Sequence, residues 1–228
     1  MEGWPHCDVT NLRRIACSRA AAGPRTSANG WRPERLVCAG LVDCLGSTFL
    51  RRGQAWRRKG KFDEAIADCN EAIRLDPQNA GAFGHRSIAW RDKGDFDKAM
   101  ADHDEAIRLD PQHAGAFFHR GVTLYLRGEL ERAIADLTEA IRLDPKDAKA
   151  FYDRGLAWHD LGDLEEAIDD YSEAIRIDGQ HVDAFHNRGV AWEAKGEYDK
   201  ATADYDEAIR LKSPLAKVFD GKLWRTIH

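Results

Sequence analysis

Apolar residues from Phe49 to Ile209 recur at helical spacing, in short blocks separated by polar turns. One block reads Phe83, Arg86, Ser87, Trp90 and the next reads Phe96, Ala99, His103, Ala106, Leu109. Spacings of three and four place each set on one helical face. Gly94 separates the two blocks and suits the left-handed conformation that ends a helix. Asp110-Pro111 closes the second, because proline disfavours helical geometry in the residue before it. This predicts two helices joined by a tight turn.

The pattern then repeats. Glu-Ala-Ile-Arg-(Leu/Ile) begins at Glu71, Glu105, Glu139, Glu173 and Glu207, each 34 residues after the last. Five units without insertion follow: 46–79, 80–113, 114–147, 148–181 and 182–215. Position 4 is Phe49, Phe83, Phe117, Phe151 and Phe185; position 11 is Trp56, Trp90, Leu124, Trp158 and Trp192. Gly holds position 15 throughout, and Ala holds positions 20 and 27, where small side chains let two helices approach closely. One such pair cannot bury its apolar face alone, so the units must stack. The fold class is all-α, a solenoid of antiparallel helix pairs.

These residues resemble the tetratricopeptide repeat family. The resemblance covers residues 46–228 and implies a right-handed superhelix whose first helices line a concave groove. It also implies a protein-binding scaffold with no enzymatic activity. The family usually carries Trp at position 4 and Tyr at 11, where this chain has Phe and Trp. Those two changes conserve volume across one contact. A third departure is chemical: position 7, usually apolar, is Arg52, Arg86, Arg120, Arg154 and Arg188. A charge on the core face needs a partner. Position 23 offers Asp68, Asp102, Asp136, Asp170 and Asp204. Either the Arg row binds a ligand or each Arg is paired with an Asp; recurrence in every unit favours the pairs.

Specificity then falls to the positions that vary. By the resemblance, positions 2, 5, 6, 9, 12 and 13 line the groove. They offer Arg51, Gln54, Arg57 and Arg58, then His85 and Arg91, then Phe118, His119 and Tyr125. Tyr152, Asp153, His159 and Asp160 follow, then His186, Asn187 and Glu193. The order runs from basic through aromatic to acidic. It suits an extended peptide with its acidic or C-terminal end at Arg57 and Arg58 and its basic end at Asp160 and Glu193. The other reading is a merely solvated inner face.

Composition sharpens this picture in places. The 228 residues carry a net charge of -5, which argues against a general nucleic-acid binder. No apolar stretch approaches the roughly 18 residues that span a bilayer. The charge divides: six Arg against four acids in residues 1–45, and 28 basic against 35 acidic residues beyond. Residues 1–45 are expected to be an arm, mostly disordered, with a short helix at 33–45. Its Cys7, Cys17, Cys38 and Cys44 lack the paired spacing of a zinc site and read as thiols of a reducing, cytoplasmic compartment. No phosphate loop, metalloprotease motif or nucleophile elbow occurs, so no catalytic residue, cofactor or metal is expected. Residues 216–228, with Phe219, Leu223, Trp224 and Ile227, are expected to cap the array. An incomplete cap leaves apolar surface for weak self-association, the alternative function.

Overall fold

A computed structural model describes residues 33–212. The arm up to residue 32 and the expected cap at 216–228 lie outside the described residues. Among the described residues, those from 42 onward belong to one compact unit, which carries the repeats. The described residues form ten helices. They are α1 (Pro33–Arg58), α2 (Phe62–Leu75), α3 (Ala80–Lys93), α4 (Phe96–Leu109), α5 (Ala114–Leu126), α6 (Leu130–Leu143), α7 (Ala148–Leu161), α8 (Leu164–Ile177), α9 (Val182–Ala194) and α10 (Tyr198–Lys212). Odd-numbered helices open the units and even-numbered ones close them. No strand occurs among the described residues.

Turn chemistry sets the helix ends. Gly60, Gly94, Gly128, Gly162 and Gly196 all have φ between 72° and 97°, where a side chain would be strained. Asp76, Asp110, Asp144 and Asp178 end the second helices, and each side chain accepts the N–H two residues on, at 3.0–3.2 Å. The fourth of these turns has Gly179 in place of proline and still forms, with Asp178 accepting from Gln180 at 3.0 Å. The Asx turn therefore does not need the proline.

Packing follows from the recurrent small residues. Ala65, Ala99, Ala133 and Ala167 at position 20 are 0–1% exposed, as are Ala72, Ala106 and Ala174 at position 27. Position 8 is Gly53, Ser87, Gly121, Gly155 and Gly189, opposite position 24 of the same unit. A Cβ on Gly155 would lie 2.7 Å from the Tyr171 ring, and one on Gly121 would lie 2.8 Å from Leu137. Gly155→Ala is therefore expected to destabilise by about 1–3 kcal/mol through overpacking. Gly84→Ala, where a Cβ meets nothing within 4 Å, should stabilise by up to about 1 kcal/mol through helix propensity. Urea melts of the two variants check the contrast.

Each position-7 Arg grips the position-23 Asp of its own unit with two parallel bonds. Arg86 Nε donates to Asp102 Oδ2 at 2.7 Å and Nη2 to Oδ1 at 2.6 Å. The same fork joins Arg52–Asp68, Arg120–Asp136, Arg154–Asp170 and Arg188–Asp204 at 2.5–2.8 Å. The Asp residues are 5–8% exposed. Each guanidinium also lies 5.3–5.7 Å from the position-4 Phe ring of its own helix, within cation–π range.

A third bond was not foreseen. The remaining guanidinium nitrogen reaches back to position 25 of the preceding unit. Arg86 donates to Asn70 at 2.6 Å, Arg120 to Asp104 at 2.7 Å, Arg154 to Thr138 and Arg188 to Ser172 at 3.0 Å. The ladder therefore closes each unit and ties it to its predecessor.

Neighbouring first helices touch one another (α3 with α5, α5 with α7, α7 with α9). Among the described residues no two second helices touch. Successive first helices therefore approach one another more closely than successive second helices do, and we call the side that the first helices form the inner face.

Candidate functional site

The inner face is built by the variable positions of the first helices, and the structure shows them bonding to each other across units. Arg57 Nη1 donates to Asp92 Oδ2 at 2.7 Å, and Arg91 Nη2 donates to Asp92 Oδ1 at 3.0 Å. Their side chains are only 32%, 23% and 14% exposed, for Arg57, Asp92 and Arg91. Two guanidinium groups thus share one carboxylate, leaving one positive charge in excess. Arg51 and Arg58 are exposed and form no ion pair among the described residues.

The next stretch is aromatic and histidine-rich. Gln54 Nε2 lies 2.8 Å from His85 Nε2. The His119 ring meets Phe118 edge-on at 5.0 Å. Burial, with Arg91 and Arg57 beside it, pushes His119 down to about 4. Burial and Arg57 lower His85 as well. Both imidazoles are neutral at physiological pH.

Further along, Tyr125 donates its hydroxyl to Asp160 at 2.7 Å, and Tyr152 accepts from Asn187 at 2.9 Å. His159 lies 3.5 Å from Asp160. Glu193 accepts from Tyr205, whose ring is 5.7 Å from His186. Asp153 differs from these. Its half-buried carboxyl makes no hydrogen bond or ion pair among the described residues. Burial pushes it up to about 6, with Asp147 acting in the same direction and Arg91 and Lys149 against it.

The expected run from basic to acidic is thus partly cancelled from within. Arg57 has its own acid, and Asp160 is engaged by Tyr125. What stands without a direct partner is the second cation of the Arg57–Arg91 pair and the carboxylate of Asp153, which Arg91 and Lys149 offset only in part. Asp92, at position 13 of unit two, meets Arg57 in a pairing that the variable-position reading left unseen. Arg57–Asp92, Tyr125–Asp160 and Tyr152–Asn187 are all 35 residues apart, one repeat plus one. That spacing is the signal that finds them.

Asp153 also gives a pH prediction. Its folded pKa lies above the ordinary carboxylate value, so the folded state holds the proton more tightly than the unfolded one. The stability this contributes is present below about pH 4 and is lost as pH rises through about 6. Asp153→Asn should therefore raise the melting temperature by several degrees at pH 8 and change it little at pH 4. Thermal melts at the two pH values check this.

Among the described residues no three His, Cys, Asp or Glu side chains are grouped to hold a metal. Cys69 is 1% exposed, and burial pushes its thiol up to about 12, so it carries no thiolate. No helix of the described residues is long and apolar enough to cross a membrane.

Family models described as tetratricopeptide repeat match residues 47–79, 88–148, 127–182 and 182–213. The chain belongs to the tetratricopeptide repeat family. Solved structures with the same architecture include a crystal structure of MamA, 29% identical, with a TM-score of 0.66 over 72% of this chain and 96% of that one. PilF of Pseudomonas aeruginosa is 20% identical, with a TM-score of 0.70 over 78% of this chain and 86% of that one. YrrB, described as a TPR protein with an unusual peptide-binding site, is 24% identical, with a TM-score of 0.59 over 72% and 84%. No curated protein matches the chain. In these tetratricopeptide units the recurrent positions are occupied by packing and by the Arg–Asp forks. The inner face keeps the groups whose charge is only partly met.

Proposed function

We propose that this tetratricopeptide array is a non-enzymatic scaffold that holds an extended segment of a partner protein along its inner face. The observation that carries the reading is the pair of charges on that face that lack a full direct partner. The Arg57–Asp92–Arg91 cluster has a cation in excess, and Asp153 makes no hydrogen bond or close ion pair, with Arg91 and Lys149 acting on it only at longer range. A segment with an acidic residue toward unit one and a basic residue toward unit four matches both. Charge complementarity of this kind fixes orientation and suppresses wrong partners. Membership of a family of interaction scaffolds supports it, and so does the assignment of the recurrent polar residues to structural bonds.

The test is affinity capture with wild-type protein and with Arg57→Glu/Arg58→Glu, followed by mass spectrometry. Loss of the captured partner with an unchanged helical circular dichroism spectrum is the expected result. Capture of the same partner by both proteins, at equal yield, would sink the reading.

End-to-end self-association is the second reading, and one observation favours it. Tyr198 and Ile209 are 67% and 68% exposed. The equivalent residues of the four preceding units, such as Phe96 and Ile107, are half-buried. A hollow of about 590 Å³ beside them is lined by Val182, His186, Tyr205 and Ala208. Light scattering on concentrated protein should then show dimers that Ile209→Lys abolishes. A monodisperse monomer at all concentrations removes this reading and leaves the first intact.

A further inference from the structure

Each first helix carries one face that receives the unit before it. Positions 3, 7, 10 and 14 share that face at helical spacing. Thr123, at position 10 of unit three, meets His103 of unit two at 3.2 Å. Position 7 reaches position 25 of the preceding unit, as in Arg120–Asp104 at 2.7 Å. Position 14 reaches position 18 of the preceding unit. Lys93 donates to Asp63 at 2.5 Å, Arg127 to Asp97 at 2.8 Å, and Lys195 to Glu165. In units two to five, positions 3 and 10 are 0–5% exposed, Ala82 and Ala89 among them.

Unit one has this face open. Thr48 and Ala55, at the same two positions, are exposed. Arg52 spends Nε and Nη2 on Asp68, and its Nη1 has no partner among the described residues. Lys59 lies 5.5 Å from the Trp56 ring, as Lys93 does from Trp90, and lacks the carboxylate that Lys93 has. Two cations therefore flank two small side chains.

Unit five has the matching face open. Besides Tyr198 and Ile209, Thr202 is exposed at position 21, where Ile66, Ile134 and Ile168 are buried. Asp199 at position 18 and Asp206 at position 25 are exposed and form no hydrogen bond or ion pair among the described residues. Inside the array, these two positions receive the cation of position 14 and the Arg of position 7. The ends are thus complementary in charge. They also match in bulk, with small side chains on the head and large apolar ones on the tail. Like ends do not match, since two heads bring cation to cation and two tails bring carboxylate to carboxylate.

We infer that the open α10 face receives the α1 face around Ala55 of a second copy of this chain. The copies dock head to tail in the register of the internal units, with Arg52 donating to Asp206 and Lys59 to Asp199. This rests on the end-to-end reading above and names its partner surface. Such a heterologous contact leaves one head and one tail free in every dimer, so assembly continues past two copies.

The test mixes two full-chain variants, each blocked at one end, and reads mass by light scattering. Ala55→Arg puts a long side chain where the internal units hold a small one, and so blocks the head. Asp206→Lys/Ile209→Lys blocks the tail. All three residues are exposed and none forms a side-chain hydrogen bond or ion pair among the described residues, so unchanged circular dichroism is expected. The mass of wild-type protein should rise with concentration. Each variant alone should stay monomeric, and their equimolar mixture should reach the mass of a dimer and stop there. Register is read by charge: Lys59→Glu should weaken wild-type association, and adding Asp199→Lys to the same chain should restore it. An Ala55→Arg variant that dimerises alone, a mixture that stays monomeric while wild type associates, or a charge swap that restores nothing would overturn the head-to-tail register and leave end-to-end association standing. A wild-type chain that is monomeric at all concentrations, as it would be with its own residues 216–228 over α10, removes both.

Discussion

Arg120→Ala is expected to cost about 3–5 kcal/mol, the largest effect of any single substitution in the array. The reason lies in what stays behind. Arg120 holds Asp136 at 2.6 and 2.8 Å, and the Asp136 side chain is 11% exposed. Truncation leaves a buried carboxylate with neither its counter-ion nor two of its hydrogen bonds. The fork to Asp136 also raises the pKa of Arg120 further, so the guanidinium cannot relieve the pair by losing its proton. Asp104, the third partner, is 62% exposed, and water replaces its lost bond at little cost. Asp104→Ala should therefore change stability by less than about 1 kcal/mol. Replacing both Arg120 and Asp136 with leucine should cost far less than Arg120→Ala alone, because no charge is then stranded. Urea denaturation of the three variants decides it. A melt unchanged by Arg120→Ala would defeat the pairing account. Arg52→Ala should be milder, since Arg52 is 57% exposed.

Leu124→Ala should rank second, at about 2–5 kcal/mol. Leu124 is 1% exposed, while Trp56 and Trp90, which hold the same position in units one and two, are only partly buried. The indoles meet solvent and cations; Lys98 lies 4.4 Å from the Trp90 ring and Lys200 lies 4.2 Å from that of Trp192. Leucine has no such exposed edge, so its loss is a loss of fully buried volume. Leu124 also accepts, through its carbonyl, the turn bonds from Arg127 and Glu129. An alanine there keeps those backbone bonds, so the cost reports side-chain packing. A destabilisation below about 1 kcal/mol would mean that the cavity collapses at no cost, against the buried position of this residue.

The helices, their turns and the Arg–Asp pairs were legible because each recurs. A charge at position 7 in every unit, with an acid sixteen residues later, is a pattern that composition alone does not produce. The third bond of each Arg was not legible. Its acceptors, Asn70, Asp104, Thr138 and Ser172, share polarity and nothing else. On a second helix such residues read as an ordinary solvated face. The inner face was legible in position and not in electrostatics. Arg57 reads as an open cation until the helix of the next unit brings Asp92 to it. Asp153 and Asp160 look alike as residues; one is half-buried without a hydrogen bond or close ion pair and the other is bonded to Tyr125.

The placement of tryptophan gives the array a set of built-in reporters. Trp56, Trp90, Trp158 and Trp192 occupy one position in units one, two, four and five, each half-buried and sensitive to the packing of its own unit. Unit three, with Leu124, carries no tryptophan. In a solenoid where each unit contacts only its neighbours, unfolding need not be all-or-none. Single-tryptophan variants of this chain would let fluorescence follow the loss of structure one unit at a time, from either end toward a dark centre. Leu124→Trp would light that centre.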